Sequence, residues 1–98
     1  MAKTLGALIF PGYELLDMFG PLEMFGMMGE EVEIRMVAQS NAPVASRQGP
    51  QTVVDDAFGD HDSYDMLLIP GGPGTRPEVD NPVLIDWIKT MTPKAELT

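Results

Sequence analysis

Two stretches of the sequence carry residue types that could do chemistry, and they lie far apart along the chain. One holds Asp17, an acid set among large apolar neighbours in Leu15-Leu16-Asp17-Met18-Phe19. A carboxylate buried there would be costly to ionise, which raises its pKa and suits it to proton transfer near neutral pH. The bland alternative is an exposed acid on the outer side of a turn. The other stretch is Pro70-Gly71-Gly72-Pro73-Gly74. Glycine lets a backbone approach closely, so the N–H groups of Gly71 and Gly72 could face an anion or a developing oxyanion. A plain tight turn has the same composition. The loop is neither G-x-G-x-x-G nor G-x-x-x-x-G-K-[ST], which disfavours a dinucleotide or nucleoside triphosphate site.

The remaining polar residues offer less. His61 lies in Asp60-His61-Asp62, but sequence neighbours rarely converge on one ion and there is no second histidine. A solvated loop is the better reading. Asp55, Asp56, Asp60, Asp62 and Asp65 lack the spacing and fixed glycine of a calcium-binding loop and read as a charged loop. Glu14 and Glu23 read as exposed helix-surface and capping acids. Cysteine is absent, so these residues hold no disulfide and no thiolate metal site.

The elements that must position these groups follow from the apolar pattern. Met66 to Ile69 is an unbroken apolar run ended by Pro70, as expected of a short strand buried on both faces of a parallel sheet. Leu5 to Phe10 is a second such run, closed by Pro11-Gly12. Ligands in open α/β sheets bind beside loops at the carboxyl ends of strands, which is where both candidate stretches fall. Leu15, Phe19, Leu22 and Phe25 have helical spacing, with Gly20-Pro21 predicted to kink the helix into two pieces, the second ending at Gly29. Met18, Met24, Met27 and Met28 read as core, with a subunit contact as the alternative. Val32 to Ala38 alternates as a strand. Two short β pieces, Pro43 to Arg47 and Thr52 to Asp55, flank a turn at Gln48 to Gln51. Asn81-Pro82 starts a helix with its apolar stripe on Leu84, Trp87, Ile88 and Met91, and Pro93 stops it. Ala95 to Thr98 reads as a further strand. The order predicts a flavodoxin-like, doubly wound α/β sandwich with a mostly parallel sheet, and the last strand lacks a following helix to cover it.

The chain has 98 residues, 44% of them apolar, which is enough for one small domain with a core. Fifteen acidic residues against 6 basic ones give a formal charge of −9. Such a surface repels polyanions, so neither nucleic acid nor an anionic membrane surface is an expected partner. No run approaches the ~18 apolar residues of a membrane span. The start, Met1-Ala2-Lys3-Thr4, leads straight into a strand-like segment rather than a signal peptide, and a cytoplasmic location is the default expectation.

The motifs Leu8-Ile9-Phe10-Pro11-Gly12, Leu15-Leu16-Asp17-Met18-Phe19-Gly20-Pro21 and Asp65-Met66-Leu67-Leu68-Ile69-Pro70-Gly71-Gly72 together resemble the ThiJ/PfpI family of the class I glutamine amidotransferase-like superfamily. The L-D-x-x-G-P segment resembles the branch that holds isocyanide hydratases and the sensor domains of AraC-type regulators. The resemblance implies that residues 1–98 form the N-terminal part of one such domain. It implies a cysteine nucleophile on a strained turn, reached by a strand like Ala95 to Thr98, and so beyond Thr98. By the same resemblance Asp17 is the acid that hydrogen-bonds the cysteine sulfur, and Gly71 and Gly72 are the loop facing it. The implied reaction is hydration of an isocyanide to an N-substituted formamide, with a small-molecule substrate, no metal or organic cofactor, and a homodimer. Other activities within the resemblance are ligand sensing for a transcription regulator, or glyoxalase, deglycase or chaperone action.

Overall fold

The computed structural model describes residues 3–71, 75–78 and 80–95. Strand β1, Lys3–Leu8, lies at the middle of the main sheet. Helix α1, Leu15–Gly26, connects it to β2, Val32–Ala38, which returns parallel alongside it from Lys3↔Val32 to Leu8↔Val37. The short antiparallel hairpin of β3, Val44–Ala45, and β4, Gln51–Thr52, then stands apart from the sheet. Strand β5, Asp56–Ala57, pairs parallel with β2. Strand β6, Met66–Leu68, crosses to the other side of β1 and pairs Leu5↔Met66 to Ala7↔Leu68. The sheet order is β5-β2-β1-β6. A single turn, α2, Thr75–Glu78, precedes helix α3, Pro82–Met91.

The unbroken apolar runs are explained by this topology. Residues 5–10 are all buried because an inner parallel strand has helices or loops over both faces. In β6 only Leu67 is fully buried, since β6 borders the sheet among the described residues. Asn81 caps α3 as its type predicts, with Oδ1 accepting from Val83 and Leu84 N–H at 3.1 and 3.5 Å, and Pro82 fills the first helical position. Leu84, Trp87 and Met91 go into the core. The α-helix ends at Met91, and Pro93 sits in a 3₁₀ turn, Thr92–Lys94. Of the strand expected over Ala95 to Thr98, residues 96–98 lie outside the described residues.

Four expectations about these elements need correction. Helix α1 runs unbroken through Pro21 instead of splitting at Gly20-Pro21. Proline costs the Asp17 carbonyl its usual helical donor, but buried Met18 and Leu22 on either side hold the helix on the sheet. The buried stripe is Met18 and Leu22, flanked by half-buried Leu15 and Phe25, while Phe19 is 41% exposed. Both stripes have helical spacing; only the way α1 lies on the sheet chooses between them. Of the methionines read as core, Met18 is fully buried but Met24 and Met27 are 73% and 85% exposed, and Met28 is exposed too.

The fourth correction concerns the acidic segment. It is not merely a charged loop, because Asp56 belongs to β5 and is only 2% exposed. Arg35 of β2 meets it with a two-point contact, Nη2 to Oδ1 at 2.6 Å and Nε to Oδ2 at 3.2 Å. Tyr64 donates to Oδ2 at 2.9 Å. The Arg35 hydrogen bonds hold the Asp56 carboxyl below the usual aspartate range, against burial, which acts the other way. The Tyr64 hydroxyl is pushed up, first by burial and then by its bond to Asp56. Its ring covers Gly6 of β1 and tilts against Trp87 at 6.3 Å, while Phe58 stacks on Trp87 at 4.8 Å.

Candidate active site

The chain leaves β1 for β2 on one side and later reaches β6 on the other, so the crevice between the carboxyl ends of β1 and β6 is the switch point of the sheet. Two loops meet there. The first turns at Gly12, whose φ of +83° is the left-handed conformation that favours glycine. The hairpin braces it: Gly12 N–H donates to Ala45 at 2.9 Å, and Arg47 N–H donates to the Tyr13 carbonyl at 2.8 Å. Tyr13 is fully buried and its hydroxyl pairs with that of Thr52. The second loop follows Pro70.

Gly71 joins the two. Its carbonyl accepts from Glu14 N–H at 3.0 Å, and its own N–H donates to Asp17 Oδ2 at 3.2 Å. Glu14 stands at the N-cap of α1 and Asp17 is the third helical residue. In a capping box the third residue's side chain would reach back to the N-cap N–H. Here the Gly71 peptide is inserted between them and takes both bonds. The sequence cannot satisfy this end of the helix by itself, so the loop after β6 does it. The start of a helix also favours negative charge, which suits Asp17.

Of the two readings of Asp17, buried or exposed, the structure shows the exposed acid. Its apolar neighbours do not cover it because Leu16 and Phe19 face outward themselves, at 75% and 41% exposure. Asp17 is therefore an exposed acid that nevertheless lies against the glycine loop. Gly71 is where the motif puts it, and Gly72 lies outside the described residues. Glu23 is exposed, but Glu14 is more than a surface acid, since Gln48 Nε2 donates to both of its carboxylate oxygens at 2.8 and 3.0 Å.

His61 is half exposed, with Nε2 3.5 Å from Asp56 Oδ2. Among the described residues no three His, Asp or Glu side chains gather as a metal site. A hollow of about 500 Å³ opens over the ends of β1 and β2, lined by residues including Phe10, Gln39, Val44, Glu78 and Leu84, and neither Asp17 nor Gly71 borders it. Sequence reasoning missed Gln48 and Asp56. A charged Arg35 within an inner strand was the available signal for Asp56, because such a residue needs a carboxylate partner.

The model of the DJ-1/PfpI family matches residues 3–98. The chain belongs to the DJ-1/PfpI family. It is 30% identical over 95 residues to the isonitrile hydratase of Pseudomonas putida, a match covering 97% of this chain and 41% of that protein. The crystal structure of a ThiJ/PfpI family protein from Pseudomonas syringae superposes with a TM-score of 0.85 at 28% identity, over 92% of this chain and 38% of that one. Oxidised DJ-1 of Toxoplasma gondii, at 20% identity, shares the fold, with a TM-score of 0.74 over 91% of this chain and 50% of its own. The chain thus spans about two-fifths of the length of the isonitrile hydratase it matches. Among the described residues no helix is long and apolar enough to cross a membrane.

Proposed function

We propose that this DJ-1/PfpI chain serves a cysteine-dependent hydration of an isocyanide to an N-substituted formamide. The observation that carries the reading is the hydrogen bond from Gly71 N–H to the Asp17 carboxylate at the mouth of the β1–β6 crevice. The similarity to an isonitrile hydratase over nearly the whole of this chain supports the substrate class. The chain contains no cysteine, so the thiolate comes from residues outside 1–98.

The Asp17 carboxylate takes the proton of the cysteine thiol, the thiolate adds to the terminal isocyanide carbon to form a C–S bond, and Asp17 passes that proton to the carbon. The product is a thioimidate, R–N=CH–S–Cys, with Asp17 ionised. Water then adds across the C=N bond, the C–S bond breaks, and Asp17 carries the hydroxyl proton to the sulfur as the formamide R–NH–CHO leaves. Thiol and carboxylate both return to their starting states. The Gly71 N–H, which donates to Asp17, stabilises the carboxylate left when Asp17 has given up its proton. Incubating the full-length protein with an alkyl isocyanide and following formamide by NMR tests the reading; no product over the uncatalysed rate contradicts it.

The setting we propose is cytoplasmic, with the enzyme a homodimer. Leu16 and Met24 of α1, with Met27 and Met28 just after its end, leave apolar side chains open to solvent, and a second copy of the chain is the occupant proposed for them. Methionine-rich apolar surface of this kind suits a subunit contact.

A further inference from the structure

The first turn of α1 is also held from the hairpin. Glu14 at the N-cap makes no side-chain cap, and the first N–H groups of a helix have no partner within it. Gln48 supplies one: its Oε1 accepts from Leu15 N–H at 3.4 Å, while its Nε2 holds the Glu14 carboxylate at 2.8 and 3.0 Å. One amide thus grips the residues on both sides of the Glu14–Leu15 peptide.

The loop that carries Gln48 is fixed independently. Arg47 N–H donates to Tyr13 at 2.8 Å, Ser46 N–H to Pro50 at 2.9 Å, and Gly49 N–H to Ser46 at 3.1 Å. Ser46 is buried, and its Oγ donates to the Pro50 carbonyl at 3.0 Å. Gly49, with φ +107°, closes the turn in a conformation open mainly to glycine. Gln48 therefore reaches α1 from a rigid base, and little ordering entropy opposes the contact.

Asp17 is three residues beyond Glu14, in the same turn, and its direction depends on how that turn is set. We infer that Gln48 is a positioning residue for Asp17, locking the first turn of α1 so that the carboxylate meets Gly71. The inference rests on the proton-transfer role proposed above for Asp17. Without Gln48 the Glu14 carboxylate and the Leu15 N–H turn to water, and the Gly71 peptide holds the turn unaided.

The test has two arms in the full-length protein. Amide hydrogen exchange at Leu15 and Gly71, which needs no substrate, should quicken about tenfold in Gln48→Ala; unchanged exchange at both overturns the inference. In isocyanide turnover, Gln48→Ala should lower kcat about tenfold with KM within about twofold. It should add nothing further in an Asp17→Asn background, because the two act through one group. The paired exchange Glu14→Gln with Gln48→Glu, which reverses donor and acceptor, should restore most of the loss. An unchanged kcat, or a loss fully additive with Asp17→Asn, overturns the inference. Quickened exchange in a protein whose wild type turns over no isocyanide would sink the proposed function while supporting the contact.

Discussion

A Cβ atom built on Gly71 would stand 3.1 Å from Asp17 Oδ2, closer than ordinary van der Waals contact, so a side chain at residue 71 would press the acid back by a few tenths of an ångström. The neighbour that must give way is the end of an exposed carboxylate rather than backbone. Gly71→Ala should therefore fold with stability within about 0.5 kcal/mol of wild type. Its cost should appear in isocyanide turnover, about tenfold or more, through a displaced Asp17. Urea denaturation beside formamide production separates the two effects.

Gly6 behaves differently. A Cβ there would lie 2.7 Å from Tyr64 Cγ, and that ring is pinned by its bond to Asp56 and by Trp87. Gly6→Ala should destabilise the protein by about 1–3 kcal/mol, the usual cost of overpacking a core. Pairing it with Tyr64→Ala should recover the part due to the clash. An equal loss in both backgrounds would show that the ring is not the obstacle.

Asp56 gives a pH dependence. Its folded pKa is depressed by Arg35, so its contribution is fully present above the ordinary aspartate value of about 3.9 and is lost as pH falls through the lower native value. Tyr64 has the opposite sign: its raised pKa makes a contribution that is present below about 10 and fades as pH climbs through the native value. Asp56→Asn should flatten the acid limb of the stability curve and cost about 1–3 kcal/mol at neutral pH, discounted because Arg35 is a third exposed. Denaturation midpoints across the acid range would show it; a mutant curve parallel to wild type contradicts the assignment.

The exposed apolar side chains on α1 and just after its end yield a prediction about assembly. Met24→Asp with Met27→Asp should leave the fold intact, since both side chains are exposed, and halve the mass seen by light scattering. A mass unchanged by these charges would place the contact elsewhere.

What the sequence made legible was local. The runs Leu5 to Phe10 and Met66 to Ile69 announce parallel strands, and Asn81-Pro82 announces the start of α3, because each signal is complete within a few residues. What stayed hidden depends on partners far along the chain. Asp56 looks like any loop acid until Arg35, 21 residues away, is brought beside it. The buried face of α1 is chosen by the sheet rather than by spacing. Asp17 could be read as buried or exposed among its large sequence neighbours; Leu16 and Phe19 point outward and leave it open. Its meeting with Gly71, 54 residues on, could be expected from the motifs and not from residue physics alone.

The most direct measurement is isocyanide turnover by the full-length protein and its Asp17→Asn variant, each shown to be folded by circular dichroism. With Asp17 moving the proton, the variant should lose about 100-fold or more in kcat. A variant that makes formamide at the wild-type rate would remove Asp17 from the reaction.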